Sequence, residues 1–189
     1  MSIKIAAICG SLRAASFNRL LLNAAVKLCP AGATMEVVEW ADVPVFNQDL
    51  ESNLPESVKR FKAQVAAADA VLFVTPEYNY SIPGPLKNLV DWGSRPYGTS
   101  CWSGKAVSIM GTSPGKYSGA SGTGRAQYHL RQTFVFLDMH PVQQPEVMVT
   151  DSPGRFNEKG ELSDEFFQKK IPENLEALIK LAKALKGAK

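Results

Sequence analysis

The sequence predicts an α/β fold in which a five-stranded parallel sheet is covered by helices on both faces. Three observations lead to this prediction: strand-like and helix-like segments alternate, the strand-like segments are almost continuously apolar, and neither repeats nor long linkers break the alternation. Continuous hydrophobicity is typical of strands that are buried on both faces, as in parallel sheets. A length of 189 residues suits one domain, so we expect residues 1–189 to form one.

The five predicted strands are short apolar segments that end at glycine, proline or polar residues. They comprise residues 3–9, 35–40, 70–75, 105–110 and 142–149. Pro145 interrupts the fifth strand, and because proline cannot donate a backbone hydrogen bond, we expect this strand at the sheet edge. Five strands suit a flavodoxin-like three-layer sandwich of strand order 2-1-3-4-5, in which ligands bind beside the carboxyl ends of the strands.

Helical spacing of apolar residues predicts one helix after each strand. These helices comprise residues 17–28, 55–67, 85–92, 125–137 and 165–185. Pro172 is expected either to kink the last helix or to lie in the first turn of a separate final helix.

The composition limits the classes of partner. Lys and Arg number 21 against 18 Asp and Glu, and this scattered excess of +3 argues against a nucleic-acid surface. No apolar stretch approaches the roughly 20 residues that span a bilayer, and the N-terminus does not resemble a signal peptide. Cys9, Cys29 and Cys101 form no CxxC or Cys/His pattern, so we expect a cytoplasmic protein without a disulfide framework or a metal site.

The first loop, residues 10–18, concentrates groups that can bind a phosphate. Hydroxyl, amide and guanidinium groups precede a helix N-terminus, where free backbone N–H groups and the helix dipole attract anions. The side chains that carry these groups are Ser11, Arg13, Ser16 and Asn18. The motif is neither GxGxxG nor GxxxxGK[ST], which disfavours a dinucleotide or nucleoside-triphosphate loop. Plain capping of the helix by Ser16 is the alternative interpretation.

Two further loops are expected at the same edge of the sheet. The second loop, residues 76–84, contains prolines, a glycine and two tyrosines, and such a stiff loop can present backbone groups to a planar ring. The third loop, residues 113–124, is rich in Gly and Ser, which permits close approach of backbone to a ligand. Each loop alone could be an ordinary packed turn or a mobile surface loop. Together, the three loops indicate a ligand site.

Two motifs in these loops closely resemble the NADPH-dependent FMN reductase family. They are G-S-L-R-x-x-S-F-N at residues 10–18 and P-E-Y-N-Y-S-x-P-G-x-L-K-N-x-x-D-W at residues 76–92. The segments Q-Y-H-L-R-Q at 127–132 and F-L-D at 136–138 are most similar to the bacterial quinone and chromate reductases of that family. The similarity extends over about residues 3–148.

The resemblance implies an FMN site that is built from all three loops. The residues implied to hold the phosphate and the ribityl chain are Ser11, Arg13, Ser16, Phe17 and Asn18. The residues implied to flank the isoalloxazine ring are Pro76, Glu77, Tyr78 and Asn79, with Ser113 and Gly115 from the third loop. Residues 116–123 are longer than the family pattern, which leaves further ligands from this loop open.

The resemblance also implies an enzyme in which FMN carries the chemistry. Hydride would pass from NADPH or NADH to flavin N5, and a quinone, chromate, azo compound or nitro compound would accept the electrons in a ping-pong reaction. No protein acid, base or metal is then required, and His129 and His140 are interpreted as packing or interface residues. The family commonly forms homodimers or homotetramers.

Two alternatives to the quinone reductase stay open at this point. The first is an NAD(P)H-dependent reductase of free flavin. The second is a non-enzymatic, flavodoxin-like electron carrier. The slightly basic composition argues modestly against the carrier, because such carriers are typically acidic.

Overall fold

The computed structural model describes residues 2–116 and 122–188, and strands and helices alternate as predicted up to the helix at Gly124–Leu137, after which two strands and then two helices follow. The strands are β1 (Ile3–Cys9), β2 (Ala33–Val37), β3 (Ala70–Val74), β4 (Ala106–Thr112), β5 (His140–Pro141) and β6 (Val147–Val149). The helices are α1 (Phe17–Lys27), α2 (Glu56–Ala66), α3 (Gly84–Gly93), α4 (Gly124–Leu137), α5 (Ser152–Arg155) and α6 (Glu165–Gly187). A 3-10 turn, Gln48–Leu50, lies between β2 and α2.

The strands form one parallel sheet in the order β2-β1-β3-β4-β5, which confirms the predicted flavodoxin-like order. β6 also pairs with β4. β5 pairs with the start of β4, at Ala106 and Val107, whereas β6 pairs with its end, at Met110, Gly111 and Thr112. The two short strands therefore follow one another along a single edge position of the sheet.

The predicted fifth strand, residues 142–149, is wrong as a continuous strand, because β5 and β6 replace it and the ladder is interrupted between Val142 N–H, which still donates to Val107 O, and β6. Pro145 lies in this gap, where its missing N–H cannot pair. Side chains bond the carbonyl groups of the gap instead. Asn174 Nδ2 donates to Pro145 O at 2.6 Å, and the Arg131 guanidinium donates to Val142 O at 2.9 Å. The edge location that Pro145 predicted is confirmed.

β2 pairs over Ala33–Val37 rather than over the predicted residues 35–40. Trp40 is nevertheless buried, and its indole N–H donates to Cys9 O at 3.1 Å. The apolar residues after the ladder therefore pack onto the core without being part of the strand. This packing explains why their hydrophobicity extended the predicted strand too far.

Two apolar cores lie on opposite faces of the sheet. α1 and α6 cover one face, and α2, α3 and α4 cover the other. β1 contributes to both cores, since Ile5 and Ala7 lie in the first and Ala6 and Ile8 in the second. Burial on both faces accounts for the continuous apolar pattern that the sequence shows.

α6 is one helix of 23 residues, Glu165–Gly187, with Pro172 inside it. A separate final helix, one of the two predictions for Pro172, is therefore wrong. Asp164 begins the helix, since its carboxylate accepts a hydrogen bond from Phe167 N–H at 3.1 Å. Among the helices of the described ranges, none combines the length and the apolar character that crossing a bilayer requires.

Candidate functional site

An open cleft of about 510 Å³ lies at the carboxyl edge of the sheet, between the first, second and third loops. This volume is within the range of about 300–1,000 Å³ that is usual for small-molecule sites. The predicted residues that line the cleft are Ser11, Arg13, Ser16, Phe17, Asn18, Pro76, Glu77, Tyr78 and Ser113. Three residues that the sequence did not single out, Thr112, Pro114 and Ser152, complete the lining.

Two predicted residues, Asn79 and Gly115, are not among the residues that line the cleft. Asn79 lies at the tip of a tight turn whose ends, Tyr78 and Ser81, exchange backbone hydrogen bonds of 3.1 and 3.0 Å. Gly115 lies at the base of the third loop, where its carbonyl accepts from Asp151 N–H at 3.0 Å. Residues 117–121, which belong to the segment whose ligands the sequence left open, lie outside the described residues.

The first loop brings buried hydroxyl groups to the N-terminus of α1. Ser11 and Ser16 are buried, whereas Arg13 is exposed at the mouth of the cleft. Ser16 is the N-cap residue of α1, which agrees with the capping interpretation, although its side chain makes no capping hydrogen bond within the described first turn. The first N–H groups of a helix have no partner within the helix. Hydroxyls, open N–H groups and a guanidinium together fit a phosphate.

Asn18 uses its side chain to fix the wall of the cleft. Its Nδ2 donates to Thr112 O at 2.9 Å, and its Oδ1 accepts from Thr112 N–H at 3.0 Å. The amide therefore ties the start of α1 to the end of β4, across 94 positions of sequence. The sequence suggested Asn18 as a hydrogen-bond donor to phosphate. It did not indicate this contact with the backbone of β4.

Cys9 lies directly beneath the first loop, at the end of β1. Its Sγ contacts Ser11 O at 3.5 Å. Burial raises the pKa of the Cys9 thiol above its usual value, more than that hydrogen bond and the positive charge of Arg19 lower it. The thiol is therefore neutral near pH 7, and it packs beneath the first loop without adding a negative charge there.

The second loop is attached to α4 by polar contacts that the sequence did not reveal. The Glu77 carboxylate accepts from Arg125 Nε at 2.6 Å and from Ala126 N–H at 3.2 Å, at the N-terminus of α4. Ser81 Oγ and His129 Nδ1 lie 2.9 Å apart. His129 is thus a surface residue that contacts the second loop. His140 is exposed in β5.

The segment that follows β6 forms a further wall of the cleft. Ser152 is fully buried, and its hydroxyl lies 2.8 Å from Thr112 Oγ1. Its N–H donates to Ser113 O at 3.1 Å, and Ser113 N–H donates to Val149 O at 3.0 Å. The run Asp-Ser-Pro-Gly at 151–154 is a helix-start signal that could have predicted α5. No local signal could have placed it beside the third loop.

The sheet order, with a cleft at the carboxyl ends of β1, β3 and β4, defines a flavodoxin-like protein. Comparisons with known proteins are more specific. The model of the NADPH-dependent FMN reductase family matches residues 3–154. The chain belongs to this family, so it is an oxidoreductase that uses FMN and NAD(P)H, as the sequence predicted.

Individual relatives agree with the family match over almost the whole chain. An NAD(P)H-dependent FMN reductase of Pseudomonas aeruginosa is 45% identical over 186 residues, with 98% of each chain covered. An NAD(P)H:quinone oxidoreductase of Solanum tuberosum is 44% identical over 192 residues, covering 98% of this chain and 95% of the relative. The solved structure of a flavoenzyme NAD(P)H:(acceptor) oxidoreductase of Paracoccus denitrificans has a TM-score of 0.87 at 33% identity, covering 96% of this chain and 98% of that one.

Gly111→Ala tests how closely the second and third loops approach at the cleft. An added Cβ would lie 1.8 Å from Thr123 Oγ1 and 2.5 Å from the backbone Thr75 O, so the strand and the loops must shift. We expect the free energy of unfolding to fall by about 1–3 kcal/mol, measured by urea denaturation. Gly84→Ala is the control, because apart from its own neighbouring backbone no described atom lies within 4 Å of its Cβ position. Equal denaturation midpoints for Gly111→Ala and the unmodified protein would contradict this packing.

Proposed function

We propose that this enzyme transfers electrons from NAD(P)H through FMN to quinones, in the cytoplasm, within one domain of residues 1–189. The observation that carries the proposal is the cleft, which is lined both by the N-terminus of α1 and by the second loop at one edge of the sheet. The relative from Solanum tuberosum, named for quinone reduction, supports the acceptor class. The free thiols of Cys9, Cys29 and Cys101 fit a reducing compartment.

The FMN phosphate, in this proposal, lies at the N-terminus of α1. Ser11 and Ser16 donate from their hydroxyls, Arg13 closes over the phosphate from the mouth, and Phe17 and Asn18 contribute backbone N–H groups. Both serines line the cleft beside the N-terminus of α1, which supports this arrangement, and Ser11 Oγ also accepts a hydrogen bond from Arg13 N–H at 3.4 Å. The bonds of the Asn18 amide to the backbone of β4 support a role in shaping the loop.

The isoalloxazine ring, in this proposal, lies between the second and third loops. Pro76, Glu77 and Tyr78 flank it from one side, and Ser113 approaches from the other. The Glu77 carboxylate is directed to α4, so Glu77 would meet the ring through its backbone. The residues proposed as more distant supports of these two loops are Asn79 and Gly115.

When bound, FMN supplies the hydride-transfer chemistry. The chain itself holds the phosphate, fixes the ring edge and leaves one ring face open to a nicotinamide or an acceptor. Tyr78 is about half exposed beside the cleft and offers an aromatic surface to a planar acceptor. We assign no protein group as an acid or base in this reaction.

A turnover assay distinguishes the quinone reductase from the two alternatives. Purified protein with bound FMN is mixed with NADPH or NADH and either a quinone or free FMN, and oxidation of the nicotinamide is followed at 340 nm as the absorbance of the reduced cofactor. We expect rapid turnover with the quinone and parallel double-reciprocal plots, because both substrates would use one ring face in turn. Turnover with free FMN alone would instead support a free-flavin reductase. Bleaching of the bound FMN without turnover would support an electron carrier. Chromate, azo and nitro compounds are then compared in the same assay.

Arg13→Ala combined with Ser16→Ala tests the position of the phosphate. Each hydrogen bond to a charged group contributes about 1.5–3 kcal/mol, so the dissociation constant of FMN should rise at least about 100-fold. Titration of the apoprotein, followed by quenching of flavin fluorescence, measures this constant. Arg60→Ala, which removes an exposed arginine of α2, is the control. Unchanged FMN affinity in the double variant would show that the phosphate lies elsewhere.

We further propose that the protein is a homo-oligomer that assembles through the outward face of α4. This helix buries Ala126, Leu130, Phe134 and Leu137 against the sheet. Its opposite side carries large apolar groups that are 54%, 86% and 75% exposed, namely Tyr128, Val135 and Phe136. Such a patch is self-complementary when two copies pair about a two-fold axis, which would remove these groups from water.

Val135→Asp combined with Phe136→Asp tests this interface. The charges would oppose pairing of two α4 faces, so we expect a single chain of 20.6 kDa, measured by size-exclusion chromatography with light scattering. Phe166→Asp is the matched control, because Phe166 is 63% exposed on α6, and this variant should keep the mass of the unmodified protein. A double variant of unchanged mass would exclude α4 as the interface.

A further inference from the structure

Arg125 holds two residues of the second loop at once. Its Nε and one terminal nitrogen each lie 2.6 Å from Glu77 Oε1. On its other side, the guanidinium carbon lies 3.7 Å from the centre of the Tyr80 ring, a close cation–π contact. The Glu77 side chain is only 9% exposed and that of Arg125 37% exposed, so this ion pair is shielded from water more than an ordinary surface pair.

The turn that Arg125 contacts has an unusual backbone. Asn79 and Tyr80 have φ angles of 50° and 67°, in the left-handed region that residues with a side chain seldom adopt. Such a conformation persists when surrounding contacts hold it. The stack on Tyr80 and the bond between Ser81 and His129 hold this turn to α4 from outside.

The contacts of Arg125 reach the cleft through Glu77. Glu77 lies between Pro76 and Tyr78, and all three residues line the cleft. A carboxylate fixed at the start of α4 by Arg125 and by Ala126 N–H therefore fixes the backbone on both sides of it. Arg125 itself is not among the residues that line the cleft.

We propose that Arg125 is a positioning residue for flavin reduction, acting through Glu77 and Tyr80 to hold the second loop against the isoalloxazine ring. This inference rests on the FMN placement proposed above. It differs from a role in general stability, because loosening the second loop changes the surroundings of the ring while the phosphate contacts at α1 remain. Arg125 then affects the placement of a nicotinamide against the isoalloxazine ring more than it affects the affinity for FMN.

The test compares Arg125→Gln, Arg125→Lys and Glu77→Gln as holoenzymes. We expect the first-order rate constant of flavin reduction by saturating NAD(P)H, measured by stopped-flow absorbance per bound FMN, to fall at least 10-fold in Arg125→Gln and Glu77→Gln. The FMN dissociation constant should change less than about 3-fold, and the visible spectrum of bound FMN should shift. Arg125→Lys keeps the positive charge but loses the planar guanidinium. Its rate of flavin reduction should therefore lie between that of the unmodified protein and that of Arg125→Gln.

Two comparisons make the result specific. Lys87→Gln removes an exposed ion pair with Asp91 on α3, and it should reduce flavin at the unmodified rate. Combining Arg125→Gln with Glu77→Gln should lower the rate by less than the product of the two separate effects, because both changes remove the shared ion pair. Flavin reduction at the unmodified rate in Arg125→Gln, or a fall only in thermal stability, would overturn the positioning role. Unchanged FMN affinity of the Arg13 and Ser16 double variant would instead overturn the FMN placement, so the two failures are distinguishable.

Discussion

The cleft depends on the parallel pairing of β1, β3 and β4, which aligns three loops at one edge of the sheet. This pairing continues past the strand ends, since Gly10 N–H donates to Val74 O at 2.7 Å and Thr75 N–H donates to Met110 O at 2.9 Å. Backbone hydrogen bonds therefore fix the bases of the first and second loops independently of any side chain. Gly111 lets the third loop approach closely, because an added Cβ would lie 1.8 Å from Thr123 Oγ1.

Polar contacts between residues far apart in sequence also hold the three loops in place. The Asn18 amide joins the first loop to the backbone of Thr112, and the ion pair of Glu77 with Arg125 joins the second loop to α4. Ser152, in the segment after β6, joins that segment to the third loop by donating from its N–H to Ser113 O. A cleft whose walls are already fixed binds its ligand without a large cost of ordering the protein. This preorganisation suits an enzyme whose cofactor carries the chemistry.

Local sequence patterns were sufficient for most of the fold and for the location of the cleft. The apolar run of β1 and the glycine that follows it define a buried strand and its loop, so they need no distant information. Local patterns could not predict contacts between residues that lie far apart in the sequence. The bond between Asn18 and Thr112, and the wall at Ser152, depend on residues that only the folded sheet brings together. The prediction of a continuous fifth strand failed because side chains such as Asn174, and not a neighbouring strand, bond the backbone carbonyl groups there.

A crystal structure of the protein with FMN tests the central claim most directly. We expect the phosphate at the first turn of α1, within hydrogen-bond distance of the Ser11 and Ser16 hydroxyls, with the ring edge beside Pro76 and Tyr78. The Asn18 amide should keep its bonds to β4 in the complex. A phosphate away from the α1 N-terminus, or a ring outside the space between the second and third loops, would contradict the account.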